Sequence, residues 1–377
     1  MTDEYLLFSV AFGRFEDVSY ILFSRFFIVL TYIGFGVAHE ALHAKEDEFM
    51  IKFLRDRASS AVPILRGITR LSPIGVDVGD DAVTMVQLSN NGKGVSMVAG
   101  ANENRPPEIS SGSVEWQRWT LETMRQVTSN GNFRGKEVVA AIPQSELFID
   151  YIKMAKTEGR KEAKVPVDDA VMSKIKRKLP FEFDEALIKY IPAEEGNGLV
   201  MAAERKIINR HLAIYENAGM TVKSIGIWPL AMTKCYARFF GRRQADIDAV
   251  VYLLDIEPNC TNVVICRHEG LLFARSISMG TNQLNGEETV SRLVLELTGC
   301  RRHFSSMYKR AFIERLVFLS GRAVEKDICV AIAKHLEMPA QMGDCLGAVE
   351  FTDLSESGVD RRDCRVNWAI AFGLSLS

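Results

Sequence analysis

Two short stretches of this chain carry residue types that do chemistry at a spacing that would place them together. Ile74 to Leu88 (IGVDVGDDAVTMVQL) and Val251 to Cys266 (VYLLDIEPNCTNVVIC) each run as an apolar strand, an Asp, a tight polar turn and a second apolar strand. A turn of this kind aims main-chain N–H groups at an anion, and an Asp at the strand end can hold the water shell of a Mg2+ ion. Asp77 and Asp255 would then be the metal-facing pair, with Gly79, Asp80, Asp81 and Thr84 on one turn and Glu257, Asn259 and Thr261 on the other. Repetition of the device predicts a duplicated α/β unit whose halves face each other across a cleft.

A second motif belongs to a different chemistry. His39-Glu40-Ala41-Leu42-His43 is a literal HExxH, which on a helix sets His39 and His43 on one face as zinc ligands, with Glu40 as general base. A third ligand is required, and only Glu46, Asp47 and Glu48 lie near in sequence. The alternative reading is an amphipathic helix end with two incidental His. The stretch before it, Tyr20 to Ala38, is apolar but interrupted by Arg25, a marginal membrane span preceded by acidic residues rather than a basic leader. A membrane anchor is one reading of residues 1–49; a start at Met50, followed by IKFLRDR, is the other.

The elements that must position these residues follow a strand and helix alternation from Ile74 onward. Ser113 is placed to cap a helix with Trp116, Thr120, Met124 and Val127 on one face, and Val138 to Ile142 is a short buried strand. This βββαβ order is that of one half of an RNase H-like, actin-type fold. Residues 145–226 read as an inserted α+β subdomain whose long helix, Glu204 to Ala218, carries Ile208, Leu212 and Tyr215 on one stripe and stops at Gly219. The expected organisation is an extension over 1–72, a first lobe over 73–144, the insert over 145–226, a connecting helix over 227–247 and a second lobe over 248–377. In that second lobe the strand Arg315 to Leu319 runs into Ser320-Gly321-Arg322, a small-residue loop at an expected helix start where a ribose or phosphate could approach.

Composition bounds the function. A chain of 377 residues with 47% hydrophobic and 25% charged residues is globular, and a formal charge of -2 argues against a nucleic-acid partner, which demands a basic face. The run Lys174 to Lys178 (KIKRK) reads as a solvated helix face. Seven Cys without a CxxC pair fit a reducing compartment. No P-loop, GxGxxG fingerprint or GxSxG elbow occurs.

Several ordered segments carry a resemblance: VVAAIPQSELFIDYIKM, LPFEFDEALIKYIPAE, VMAAERKIINRHLAIYENAGMTVKSIGIWPLAM, FARSISMGTNQL and NWAIAFGLSL. Their order resembles the PilM-type type IV pilus assembly proteins, relatives of FtsA in the actin/Hsp70 superfamily, from about Ile74 to the C-terminus. The resemblance implies a two-lobed cytoplasmic protein, peripheral at the inner membrane, with ATP and Mg2+ between the lobes. It also implies an insert that docks the short cytoplasmic tail of an inner-membrane partner, PilN, as an extended peptide. Self-association is a further expectation.

At the nucleotide site the sequence departs from the family. The family's DxGS followed by Lys is here Asp77, Gly79 and Asp80, with Thr84 at the Lys position, and its DIG is Asp255-Ile256-Glu257. Trp228 stands where an acidic residue precedes the Pro of the connecting helix, and the adenosine loop is Leu319-Ser320-Gly321-Arg322. Between FARSISMGTNQL and the next helix only Asn285 to Thr289 remain of a lid subdomain. Four altered contacts at about 1 kcal/mol or more each would lower nucleotide affinity by several orders of magnitude. The expected function is therefore a scaffold for assembly of a type IV pilus or a related type II secretion machine, with weak or lost nucleotide binding. The competing readings are an ATPase or small-molecule kinase, with Asp80 or Asp81 as the base, and a zinc metallopeptidase built on HEALH.

Overall fold

The computed structural model describes residues 70–90, 94–130, 132–153, 169–352, 357–359 and 366–377. The expectations placed on Tyr20 to Ala38 and on His39, Glu40 and His43 fall outside the described residues.

Arg70–Leu71 (β1), Ile74–Val78 (β2), Ala82–Asn90 (β3), Val95–Asn104 (β4), Val114–Asn130 (α1) and Glu137–Ile142 (β5) open the first lobe. Phe148–Lys153 (β6), Asp169–Lys178 (α2), Ala186–Pro192 (β7) and Asn197–Glu204 (β8) form the insert. Arg205–Asn217 (α3), Thr221–Ile227 (β9), Trp228–Phe239 (α4) and Gln244–Asp248 (α5) lead to the second lobe. That lobe is Val250–Ile256 (β10), Thr261–Arg267 (β11), Gly270–Ile277 (β12), Glu287–Met307 (α6), Ile313–Phe318 (β13), Lys326–Leu336 (α7) and Ala340–Met342 (β14). Cys345–Ala348 (α8), Glu350–Phe351 (β15) and Ala369–Ser375 (α9) close the chain.

The two lobes repeat one topology. The first sheet runs β15-β4-β3-β2-β5-β9, with β1 paired to β3, and the second runs β12-β11-β10-β13-β14. In each, three antiparallel strands are followed by two parallel ones, so β2 and β10 hold equivalent central positions. Every residue of β10 is buried, as a strand covered on both faces must be. The fold is the mixed α/β actin-like fold expected from sequence.

Local chemistry sets the helix ends. The Ser113 hydroxyl accepts the Trp116 N–H at 3.0 Å, and α1 turns Trp116, Thr120, Met124 and Val127 inward. Helix α3 stops at Gly219, whose φ of +77° suits a residue without Cβ. Its inward face is His211, Ile214 and Tyr215; Ile208 and Leu212 are only half-buried, a shift from the expected stripe. Lys174, Lys176, Arg177 and Lys178 of α2 are exposed around a buried Ile175, so the basic run is a solvated face.

The insert is shorter than its expected span of 145–226. Its three strands form a separate sheet ordered β6-β8-β7, whereas β9 pairs in parallel with β5 of the first lobe and α3 packs on α1. Strand β8 runs into α3 between Glu204 and Arg205 with no intervening loop, so the return to the main body carries no turn residue to announce it.

At the base, α9 lies against α4 and β2 at backbone contact. A Cβ on Gly373 would meet the Ala231 carbonyl oxygen at 1.9 Å, and one on Gly75 would meet that of Ala371 at 2.1 Å.

Candidate functional site

The two hairpins match bond for bond. In the first, Asp77 lies opposite Thr84 and the Gly79 N–H donates to the Ala82 carbonyl at 2.9 Å. In the second, Asp255 lies opposite Asn262 and the Glu257 N–H donates to the Cys260 carbonyl at 2.8 Å. Both turns border one cavity of about 200 Å3, lined among others by Asp77, Gly79, Asp81, Thr84, Glu257 and Asn367. The lobes therefore face each other over the two Asp-bearing strand ends.

Among the described residues no Lys or Arg lines this cavity, and of its carboxylates Asp81 pairs with Arg105 from outside it. Burial, with the neighbouring charges of Asp255 and Asp80, pushes Asp77 up to about 7. Burial likewise raises Asp255 to about 6, opposed by hydrogen bonds from Asn367 and Asn262. Glu257 is held well above the usual carboxylate range by burial and by the charges of Asp255, Asp77 and Asp81. The Asn367 amide donates to Asp255, and reaches Glu257 at 3.4 Å. Among the described residues no three His, Cys, Asp or Glu side chains are grouped to hold a metal ion.

Several residues expected to face a nucleotide are committed elsewhere. Asp80 lines a different cavity and accepts the Ser111 and Ser145 hydroxyls at 2.8 and 3.2 Å. Asp81 pairs with Arg105 at 3.4 Å and takes two bonds from Asn259, at 2.8 and 2.9 Å. Thr84 accepts from the Asn102 amide at 2.8 Å, and Thr261 donates to the Met279 carbonyl at 2.7 Å. The Ser320 hydroxyl accepts the Ile256 N–H at 3.2 Å, tying β13 to β10. Gly321 has φ of +58° and lies against Gly343; the Arg322 side chain is outside the described set. Where a helix start was expected, Gly321–Ala323 is a single 3-10 turn, and α7 begins only at Lys326. Of these three hydroxyls Thr261 spends its donor on a main-chain carbonyl, whereas Thr84 and Ser320 act as acceptors.

A larger groove of about 590 Å3 opens on the other side of the Asp81–Asn259 contact. One wall is Leu147 to Tyr151, on or next to β6; the opposite wall is Ala274, Arg275 and Ser276 of β12; Trp228 and Gln144 contribute from the first lobe. Both β6 and β12 are edge strands, each paired on one side only. Trp228 is 1% exposed.

The insert is fastened to the second lobe at this groove. The Tyr151 ring stacks on Phe273 at 5.0 Å, its hydroxyl donates to the Ala274 carbonyl, and it accepts the Ala274 N–H at 3.2 Å. Glu195 accepts the main-chain N–H groups of Lys309 and Arg310, both at 3.0 Å, and Glu194 pairs with Arg267 at 2.7 Å. Sequence reasoning identified neither Tyr151 nor Asn367. Each sat in a segment quoted for its pattern, and its polar partner is more than a hundred positions away.

Comparison with known proteins agrees with the geometry. The family model described as type IV pilus assembly protein PilM matches residues 75–298. A solved PilM-PilN type IV pilus biogenesis complex matches at a TM-score of 0.63 and 18% identity, covering 81% of this chain and 98% of that one. The cytoplasmic domain of EpsL, from the type II secretion system of Vibrio cholerae, matches at 0.41 and 9% identity, covering 65% and 81%. The ethanolamine utilization protein EutJ from Carboxydothermus hydrogenoformans matches at 0.43 and 11%, covering 81% and 89%.

Proposed function

The chain belongs to the type IV pilus assembly protein PilM family, and from that premise we propose that it is a pilus-assembly scaffold gripping the cytoplasmic tail of a PilN-like inner-membrane protein. The observation that carries this reading is the pair of edge strands, β6 and β12, whose residues wall the 590 Å3 groove, the β12 edge being taken at Ala274 by the Tyr151 hydroxyl. An extended tail adds as a strand to such an edge: main-chain hydrogen bonds give affinity, and side-chain pockets beside them give specificity. In the solved complex of the same fold a PilM is paired with a PilN. Occupation of this groove would hold the protein peripherally at the cytoplasmic face of the membrane. Among the described residues no helix is long and apolar enough to cross a membrane.

Nucleotide binding is weak or lost in this reading. A cavity of about 200 Å3 lies below the range of about 300 to 1,000 Å3 usual for small-molecule sites, and its acidic lining repels a triphosphate. A free triphosphate thus does not fit the side chains that line it, whereas carboxylates are the donors a Mg2+ ion takes. The kinase or ATPase reading loses support for a related reason: Asp80 is held by two Ser hydroxyls and Asp81 by Arg105 and Asn259, so neither carboxylate is free as a base.

Isothermal titration tests both halves. A synthetic peptide of the PilN-like partner's cytoplasmic tail should bind, and Mg-ATP at millimolar concentration should give no heat. A silent tail would end the scaffold reading, and saturable heat from Mg-ATP would end the claim of a lost nucleotide site.

A further inference from the structure

Among the described residues the chain passes between its two lobes twice. It leaves the first lobe through α4 and α5, and returns from β14 through α8 to β15, which pairs with β4. These two crossings are the hinge about which the lobes would open. Cys235 lies in α4 and Cys345 is the first residue of α8, so each crossing carries one thiol.

The two sulfurs are 3.3 Å apart, with one thiol donating to the other. Both are buried, at 0% and 4% exposure. A disulfide holds its sulfurs about 2.05 Å apart, so closure needs an approach of only about 1.2 Å, within the play of two side chains on short helices. The bond to Cys345, then burial, keeps the Cys235 thiol well above its ordinary range and therefore protonated at neutral pH. Reaction thus waits on brief opening of the hinge and on an oxidant small enough to enter.

We propose that Cys235 and Cys345 are a redox modification site, in which a hydroperoxide joins them as a disulfide that staples the two interlobe crossings together. One thiol, as its thiolate, attacks the peroxide; the O–O bond breaks, hydroxide or alkoxide leaves, and the sulfur becomes a sulfenic acid. The second thiol attacks that sulfur, the S–S bond forms and water departs with the remaining proton. Two electrons pass from the thiols to the peroxide. Because cleft and groove both lie between parts joined by this hinge, the staple fixes their opening. The inference stands independently of what occupies the groove.

The test uses the folded full-length chain, treated with hydrogen peroxide, blocked with N-ethylmaleimide and digested without reduction. The expected product is one cross-linked peptide containing Cys235 and Cys345, two hydrogens lighter than the sum of its parts and released by dithiothreitol. Amide exchange in residues 228–239 and 343–349 should be roughly tenfold slower in the disulfide form and return on reduction. Cys345→Ser should lose both signals; if that variant does not fold, reversal by dithiothreitol in the unmodified chain supplies the same control. Oxidation of the two cysteines to separate sulfinic acids, or disulfides formed only by the chain's other cysteines, would overturn the site. A Cys235–Cys345 disulfide without slower exchange would overturn the staple.

Discussion

The Asn259 amide donates to both carboxylate oxygens of Asp81, at 2.8 and 2.9 Å, across 178 positions of sequence. Asp81 is the fourth residue after Asp77 and Asn259 the fourth after Asp255. The lobes thus meet at equivalent positions of a duplicated turn, one member acidic and the other an amide, with Asp81 lining the acidic cleft and Asn259 the larger groove. Two carboxylates there would repel; the exchange of one for Asn makes a bond of a clash.

Asn259→Ala removes that bond while leaving Asp81 its Arg105 partner. The contact is solvent-exposed, so the expected cost is about 1 kcal/mol in denaturant unfolding. Amides of Gly79 to Ala82 should exchange faster; unchanged exchange there would mean the contact does not join the lobes.

The raised carboxylates give stability a pH dependence of defined sign. Asp77 titrates at about 7 in the folded chain, above its unfolded value of 3.8. The folded state therefore binds the extra proton, and stability present below pH 4 is lost as pH rises through 7. Asp77→Asn should flatten the fall in Tm between about pH 4 and 7, with the residual slope due to Glu257 and Asp255. A steeper fall in the variant would contradict the assignment.

Tyr151 fastens the insert by two separable means. Tyr151→Phe removes the bonds to Ala274 and keeps the stack on Phe273, at a cost of about 1 kcal/mol. Tyr151→Ala removes both, at about 3 kcal/mol. Unfolding midpoints of the two variants should differ accordingly; equal midpoints would show that the ring packing contributes nothing.

Close packing at the base predicts a contrast between two glycines. A Cβ at Gly373 would stand 1.9 Å from the Ala231 carbonyl oxygen, so Gly373→Ala should cost more than about 3 kcal/mol or prevent folding. Gly286 has extended backbone and no atom within 4 Å of a Cβ, so Gly286→Ala should leave Tm within a degree or two.

The fold was legible because its determinants are local. Two Asp-ended strands with tight turns, Ser113 before α1 and Gly219 after α3 can each be recognised within a few residues of sequence. What escaped is long-range. Asn367 holds Asp255 from 112 positions away, and Tyr151 meets Ala274 across 123. The insert's end was missed because β8 and α3 are continuous at Glu204 and Arg205. Thr261 and Ser320 were read as ligand donors because a hydroxyl at a strand end serves a phosphate or a neighbouring main chain equally well. The packed lobe decides this for Thr261, whose donor goes to Met279, while Ser320 accepts from Ile256.

Hydrogen exchange with and without a synthetic peptide of the PilN-like partner's cytoplasmic tail tests the central claim most directly. Binding in the groove predicts protection concentrated on both walls, Leu147 to Tyr151 and Ala274 to Ser276, with little change in α7. Protection confined to any other surface, or none at saturating peptide, would contradict it.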